Sequence, residues 1–209
     1  MSAKTIEKIK STRLKRVVMR KGTVLGIETL HDVWVLAQVV GRTEIAFFDA
    51  FAKRCSFKQE DWDSAELLFV NSVTQQFLRN SKVHKMDLSP KENIAVPDEW
   101  INRSLFGKFS RVVLWEGTSH ERRLLVKYGG SLVRNVDDVL IERIRINDRK
   151  TIDNHELSGL ATFPYMNHRL YLCFKLKRNA DPLKELAFRR PLPTEYQEVI
   201  DRLYPEDHF

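Results

Sequence analysis

Three short apolar segments joined by two-residue links stand out in the N-terminal half of this chain, between residues 22 and 51. The segments read TVLGIETL, VWVLAQVV and TEIAFF, and the links are His31-Asp32 and Gly41-Arg42. Links this short can join only antiparallel neighbours, so the stretch predicts a three-stranded meander. Gly26 lies inside the first strand, where a glycine indicates a bulge or a close approach of another group.

The rest of the chain alternates short strand patterns with short helix patterns. Residues 53–64 are polar and are expected to form a loop, and Ser89-Pro90-Lys91-Glu92 has the composition of a helix start. This strand-rich inventory predicts the α+β class, with a further hairpin and a C-terminal helix after the meander. Further strands are expected at 66–78, 110–116, 121–129, 143–147 and 169–178, and helices at 97–105, 136–141, 182–189 and 194–203.

The net charge of +7 resides in the N-terminal segment. Residues 1–21 hold eight basic side chains and one acidic one, and 8 − 1 = 7 accounts for the whole excess. The remaining residues carry 27 basic and 27 acidic side chains and sum to zero. The sequence therefore predicts a basic arm over residues 1–21 attached to a single domain over 22–209, with a candidate sub-boundary near 79–97.

A basic arm of this kind has two interpretations. It can bind nucleic acid through phosphate contacts, or it can be a solubilising terminus that is partly frayed. The candidate phosphate contacts are Arg13, Lys15, Arg16, Arg20 and Lys21.

Composition excludes several classes of protein. Apolar residues make up 43% of the chain and charged residues 30%, which is ordinary for a globular domain and argues against disorder. The two cysteines, Cys55 and Cys173, lie far apart and favour reduced thiols over a disulfide scaffold. No apolar run approaches the roughly 18–20 residues that span a bilayer. We therefore expect a cytoplasmic protein without a membrane segment.

No arrangement of residues predicts catalysis. The six histidines show no helical pairing, and the chain lacks a phosphate loop, a GxGxxG motif and a GxSxG motif. Asp137-Asp138 is an adjacent carboxylate pair, but acids at a helix start explain it more simply. We expect no metal, no cofactor and no enzymatic activity; scattered metal ligands and an enzyme of unrecognised type are the weaker alternatives.

The third segment ends in Phe47-Phe48-Asp49, which raises the question of what covers two adjacent phenylalanines. Side chains alternate across a strand, so these two face opposite sides of the sheet. Either both sides are core, or one side is kept apolar for a partner, which would leave Trp34, Phe47 or Phe48 substantially open. On the second interpretation the candidate partner-binding residues are Trp34, Gln38, Phe47, Phe48 and Asp49.

These same segments resemble a known family. The runs Gly22-Thr23-Val24-Leu25, Ala37-Gln38-Val39 and Ile45-Ala46-Phe47-Phe48-Asp49 are similar to the strand motifs of the bacterial polymorphic-toxin immunity proteins of the family numbered twenty-six. Leu67-Leu68-Phe69-Val70 and Trp100-Ile101 fall roughly where that family has a Leu-Phe strand and a Trp-containing segment. The resemblance covers about residues 13–105, and Thr23 stands where the family commonly has an acid.

The resemblance implies a non-catalytic intracellular protein that binds a cognate toxin and neutralises it. The neutral body and basic arm argue against direct plugging of a nuclease's positive active site. The alternative is a nucleic-acid-binding module that uses the arm, with exposed aromatic side chains stacking on bases.

Overall fold

The computed structural model describes residues 11–13, 18, 20–106, 109–128, 138–194 and 196 of the 209-residue chain. No helix in these ranges is long and apolar enough to cross a membrane. The helices are α1 (Gln59–Asp63), α2 (Gln75–Asn80), α3 (Arg149–Asn154), α4 (Tyr165–Leu176) and α5 (Pro182–Ala187). The strands are β1 (Ser11–Arg13), β2 (Val24–Glu28), β3 (Trp34–Val39), β4 (Glu44–Ala52), β5 (Leu67–Val73), β6 (Val83–Met86), β7 (Glu99–Ile101), β8 (Ser104–Phe106), β9 (Phe109–Arg111), β10 (Leu125–Lys127), β11 (Asp138–Ile141), β12 (Glu156–Leu157) and β13 (Leu160–Ala161).

The first sheet has seven strands in the order β1-β6-β2-β3-β4-β5-β13. The strands β2, β3, β4 and β5 pair antiparallel in sequence order, which confirms the predicted meander, and β13 adds in parallel to β5. A second sheet has the order β11-β10-β7-β12, and β8 with β9 forms a two-stranded ribbon. With five short helices beside these sheets, the chain has the predicted α+β fold.

The first link is the tight turn that the sequence predicts. His31 and Asp32 both have positive φ values, 52° and 58°, and the Val33 amide donates to the Leu30 carbonyl at 3.0 Å. Two left-handed residues in succession match the right-handed twist of the flanking strands. Gly26 also behaves as expected, because a Cβ at this position would lie 2.6 Å from the Cys55 Sγ.

Both faces of the first sheet are covered by apolar packing. On one face, Phe47 packs against Phe69 and Phe77 in a cluster that continues into the second sheet and into α2, α3, α4 and α5. On the other face, Phe48 packs edge-on against Trp62 of α1, with ring centroids 4.6 Å apart. The adjacent phenylalanines therefore belong to two different cores, as strand alternation requires.

A group of buried charges joins the C-terminal helices to this framework. The Arg169 guanidinium on α4 pairs with Glu156 of β12 and, at 3.3 Å, with Asp181 before α5, and it lies 3.6 Å above the centre of the Phe69 ring. Lys184 is also buried and adds a second positive charge 4.0 Å from Glu156. Two cations thus face two carboxylates in the interior; we call Glu156, Arg169, Asp181 and Lys184 the buried charge cluster.

The N-terminal half contains three departures from the expected elements. The predicted loop at 53–64 contains α1, because Trp62 supplies the apolar side chain that fixes this turn of helix against the sheet. The predicted strand 66–78 ends at Val73, since the Thr74 hydroxyl accepts from the Phe77 amide at 3.2 Å and caps α2. No helix begins at Ser89, where the chain has no regular secondary structure.

Several predictions for the C-terminal half are wrong. Residues 169–178, expected as a strand, lie mostly in α4. The buried face of this helix includes Asn167 and Arg169, and because these residues are polar, the sequence does not show the apolar period of a helix. The helices expected at 97–105 and 136–141 are replaced by β7, β8 and β11 over the described residues. Of the strand expected at 143–147, only an isolated parallel bridge between Arg143 and Arg123 forms, and residues 146–147 lie in a turn.

Other predictions hold in whole or in part. The hairpin expected from 110–116 and 121–129 closes with a Leu114–Arg122 pair, but β9 pairs with β8 and β10 pairs with β7 and β11. The helix after Asp181 is confirmed, and the Asp181 carboxylate accepts from the Leu183 and Lys184 amides. Thr194 is helical, but most of the helix expected after it lies outside the described residues.

Phe47→Ala should lower the free energy of unfolding by roughly 3–5 kcal/mol, because the ring is fully buried and its loss leaves a cavity. Leu67→Ala on the same sheet is the control, since Leu67 is 49% exposed and its truncation should cost about 0.5 kcal/mol or less. Urea denaturation measures both changes. Equal stability of the two variants would contradict a core role for Phe47.

Glu156→Gln should destabilise the fold by roughly 3–5 kcal/mol, because it leaves Arg169 and Lys184 without their shared carboxylate. Burial alone would raise the pKa of Glu156, but the charges of Arg169 and Lys184 and a hydrogen bond from Asn179 hold it below the ordinary value of 4.5. Its stabilisation is therefore complete above pH 4.5 and is lost as the pH falls through the lowered pKa.

The measurement is the free energy of unfolding from pH 7 down to pH 2. The wild-type curve should fall more steeply below pH 4.5 than that of Glu156→Gln, and the difference between the curves isolates Glu156 from other carboxylates. Asp98→Asn removes an exposed partner of Lys127 and should leave the curve nearly unchanged, because solvent screens this ion pair. Parallel curves for wild type and Glu156→Gln would exclude the assigned role of this carboxylate.

Candidate functional site

The predicted partner-binding face on the meander does not present open aromatic side chains. Trp34 is 8% exposed, and both Phe47 and Phe48 are buried, so the expectation that one of them stands substantially open is wrong. The physical reason is that α1 and the segment 87–98 cover the side of the sheet that carries Trp34 and Phe48.

Gln38 holds that cover in place. Its side-chain amide donates to the Lys91 carbonyl and accepts from the Lys91 amide, both at 2.8 Å, as a paired strand would. The Lys91 ammonium lies 5.7 Å from the centre of the Phe48 ring and 5.1 Å from that of Trp62. Of the five predicted residues, only Asp49 is exposed, and the meander therefore offers a partner no apolar surface there.

The predicted nucleic-acid contacts lie at the edge of what the structure describes. Arg20 and Lys21 are exposed, and Arg13 belongs to β1, where its backbone pairs with His84 of β6. Lys15 and Arg16 lie outside the described residues. The buried aromatics of the meander supply no platform for base stacking.

The second sheet exposes apolar side chains at its β11 edge. Val139 is 47% exposed and Leu140 is 44% exposed. Because neighbouring residues point to opposite faces of a strand, neither face of β11 is fully covered. Within the described part of the chain, β11 pairs only with β10, so its other backbone edge is free of a strand. An edge with exposed apolar side chains is a template for adding a strand.

An exposed tryptophan stands on the turn that joins Leu114 to Arg122, in the hairpin that precedes β10. Trp115 is 62% exposed and has a left-handed backbone with φ of 52°. Its carbonyl accepts from the Thr118 hydroxyl at 2.8 Å, and the Glu121 carboxylate accepts from the Gly117 amide at 3.1 Å. Leu114 and Arg122 exchange two backbone hydrogen bonds of 2.9 Å at the base of the turn. The tryptophan is therefore held on an ordered turn.

The same turn is tied to the chain that follows β11. The Arg143 guanidinium donates to the Ser119 carbonyl at 3.1 Å, and the Ile144 amide donates to the Arg123 carbonyl at 2.9 Å. The Gly117 amide and the Arg123 guanidinium lower the pKa of Glu121, so this carboxylate stays charged at neutral pH. We call Trp115, Val139, Leu140 and the exposed Ile146 the apolar edge.

Among the described residues, neither cysteine thiol belongs to a recognisable catalytic arrangement. Burial raises the pKa of Cys173 to about 11, so its thiol is protonated at neutral pH and is not a nucleophile. Neither Cys55 nor Cys173 forms a disulfide. Across the ranges described, no three His, Cys, Asp or Glu side chains are grouped to hold a metal ion.

Sequence reasoning missed the apolar edge. Trp115 ends an apolar run that predicts a strand, and the acids Asp137 and Asp138 are typical of a helix start, so the sequence predicts a helix where β11 lies. The β-branched and apolar run Val139-Leu140-Ile141 is the feature that favours a strand at this position.

Comparison with known proteins places the chain in a family. No curated protein and no solved structure matches it. The family model that does match is described as a domain of unknown function, DUF8309, and it covers residues 14–190. That range contains every strand from β2 onward and all five helices. The chain is therefore a member of the DUF8309 family.

Proposed function

We propose that this protein is a non-catalytic binding protein that holds a partner protein at the apolar edge. The observation that carries the proposal is an edge strand, β11, with apolar side chains exposed toward both faces of the sheet. If β11 were a core strand, at least one of its faces would be covered, as both faces of the first sheet are.

The geometry favours binding by strand addition. A partner strand beside β11 would make main-chain hydrogen bonds to its free edge, while Val139 and Leu140 would contact partner side chains on opposite faces. Trp115 is suited to be the anchor, because a large amphipathic ring on an ordered turn loses little conformational freedom on binding. Tryptophan is also among the residues that most often dominate interface energies.

We further propose that the partner is a bacterial toxin and that the protein is an immunity-type protein of the cytoplasm. Support comes from the strand motifs around Gly22, Gln38 and Phe47-Phe48-Asp49, which resemble those of the toxin-immunity family. Of these motif residues, Gln38, Phe47 and Phe48 are buried and Gly22 is half-buried, so the resemblance bears on the scaffold, whereas the proposed contact surface is the apolar edge. The absence of a disulfide between Cys55 and Cys173 accords with a reducing compartment.

Trp115→Ala should abolish partner capture while leaving the fold intact. The ring is mostly exposed, so thermal stability should change little, whereas loss of an interface anchor costs about 2 kcal/mol or more, roughly 30-fold in affinity. Val139→Lys should also weaken capture, because a charge on an edge strand opposes strand addition. Affinity capture from the source organism, quantified by mass spectrometry against wild type, measures the loss.

Leu67→Ala is the matched control, since Leu67 is exposed to a similar degree on the first sheet. A captured protein that arrests bacterial growth when expressed alone, and is silenced by co-expression of this chain, would support the immunity role. Capture that survives both Trp115→Ala and Val139→Lys would refute the assigned surface. A captured protein without toxicity would refute the immunity role and leave the surface in place.

Nucleic-acid binding through the arm is the second candidate, favoured by the exposed Arg20 and Lys21 beside a charge-neutral body. With about four to six phosphate contacts, log affinity for duplex DNA should fall with log salt at a slope of about −4 to −5. Changing Arg13, Lys15, Arg16, Arg20 and Lys21 together to Gln should reduce that slope by about half or more, because each lost contact removes about 0.9 from it.

The control removes five exposed charges from the body instead. It changes Lys53, Arg54, Lys58, Arg79 and Lys85 to Gln and should leave the slope nearly unchanged. Fluorescence anisotropy with a labelled duplex gives both slopes. If the body variant reduced the slope more than the arm variant does, the nucleic-acid contacts would lie on the body and not on the arm.

A further inference from the structure

A cavity lined by four arginines lies among α3, the end of α4 and the segment that follows α5. Its volume is about 760 Å³. The charged side chains in its wall are Arg149, Arg178, Arg189, Arg190 and Asp153, so the wall carries a net charge of 4 − 1 = +3. We call this cavity the arginine pocket.

Two of the four arginines are neutralised by carboxylates of the chain. Arg178 forms a two-pronged ion pair with the buried Glu185, with distances of 2.9 and 3.0 Å. Arg190 pairs with Asp153 at 2.5 Å and lies 3.8 Å from Glu185. In the ranges described, neither Arg149 nor Arg189 forms an ion pair with a carboxylate, although the charge of Arg189 contributes to the lowered pKa of Glu121. Both side chains are exposed, and the positive excess of the pocket resides mainly on them.

Arg190 is also incompletely bonded. Its Nη1 contacts Asp153, but its Nη2 is buried and has no hydrogen-bond partner among the described residues. A buried guanidinium nitrogen without an acceptor is unfavourable, and an anion in the pocket would supply the acceptor.

The backbone at Arg189 gives an independent indication. Arg189 has φ of 52° just after α5, a left-handed position at which glycine is the favoured residue. The conformation is fixed by hydrogen bonds from the Arg189 amide to the Leu186 carbonyl, at 2.9 Å, and from the Arg190 amide to the Glu185 carbonyl, at 2.8 Å. Strained residues of this kind cluster at ligand sites, where the side chain is needed.

We propose that the arginine pocket binds a small phosphate-bearing ligand with at least two negative charges. Guanidinium groups match phosphate oxygens with paired hydrogen bonds, and several arginines on one wall favour a multiply charged anion over a single carboxylate. A volume of about 760 Å³ is larger than one phosphate needs and lies within the range of sites for small molecules and cofactors. Asn147 and Asn179 add neutral polar groups to the wall.

The site is connected to the interior of the fold. The Asn179 amide donates to Glu156 at 2.6 Å, and its carbonyl oxygen accepts from Arg169 at 3.0 Å. One wall of the arginine pocket is therefore fixed by the buried charge cluster, which keeps the site ordered before any ligand arrives.

The test uses the full chain and sodium pyrophosphate as the probe, measured by isothermal titration calorimetry at about 0.15 M salt, where surface attraction is largely screened. We expect a dissociation constant below about 1 mM for wild type. Arg149→Gln and Arg189→Gln should each weaken binding by about tenfold or more, because each removes an unpaired cation. Arg145→Gln removes the same charge from a neighbouring exposed position outside the pocket and should change binding less than about twofold.

Arg189→Gly separates ligand binding from a structural role. Glycine relieves the left-handed strain, so this variant should melt at a higher temperature than wild type while losing pyrophosphate affinity. A lower melting temperature together with unchanged affinity would overturn the assignment of Arg189 to the site.

The proposal is overturned if wild type shows no pyrophosphate binding at millimolar concentration, or if Arg145→Gln weakens binding as much as the pocket variants do. Binding of a DNA oligonucleotide without binding of pyrophosphate would also overturn it, in favour of nucleic-acid contacts. None of these outcomes bears on partner capture at the apolar edge, which is measured separately.

Discussion

The buried ion pair between Arg169 and Glu156 joins the C-terminal helices to the two sheets, together with apolar packing and with hydrogen bonds such as that from the Asn167 amide to the Glu28 carbonyl at 2.9 Å. Arg169 sits on α4, Glu156 on β12, and Asp181 begins α5, while the Phe69 ring of the first sheet lies under the guanidinium. A buried charge must be fully compensated, and each partner here comes from a different element. The arrangement of the C-terminal helices on the first sheet is therefore specified by polar geometry in addition to apolar burial.

The first sheet is covered on both faces, and this determines where binding can occur. Its aromatic side chains, which look like interface anchors in the sequence, fill two cores instead. The second sheet is short and carries β11 at its edge, where the neighbouring side chains of Val139 and Leu140 are both exposed. The scaffold is thus distinct from the two proposed sites. The meander supplies stability, and later residues supply the surfaces that a partner or a ligand would contact.

The sequence was sufficient for the meander because short links between successive apolar segments leave only antiparallel neighbours. It was insufficient for α4, whose buried face contains Asn167 and Arg169, since a hydrophobic period cannot register polar residues that are compensated by distant partners.

The candidate sites were missed for a related reason. The arginine pocket combines residues from α3, the end of α4 and the segment after α5, and Trp115 becomes conspicuous only when its exposure is known. Capping residues predicted a helix start correctly where the capping contact is local, as at Asp181.

The doubled hydrogen bond of Gln38 has a consequence for how the protein opens. The segment 87–98 covers Phe48 and Trp62 without being part of any sheet ladder; its polar attachments include Gln38 to Lys91 and the Trp62 indole to the Ser89 carbonyl at 2.6 Å. Breaking a few such bonds uncovers the aromatic face while the strands beneath stay paired. Such a unit unfolds at lower free energy than the ladder it covers. Amide hydrogens of this segment would then exchange with solvent independently of global unfolding, and the aromatic face would be a transient surface rather than a permanent one.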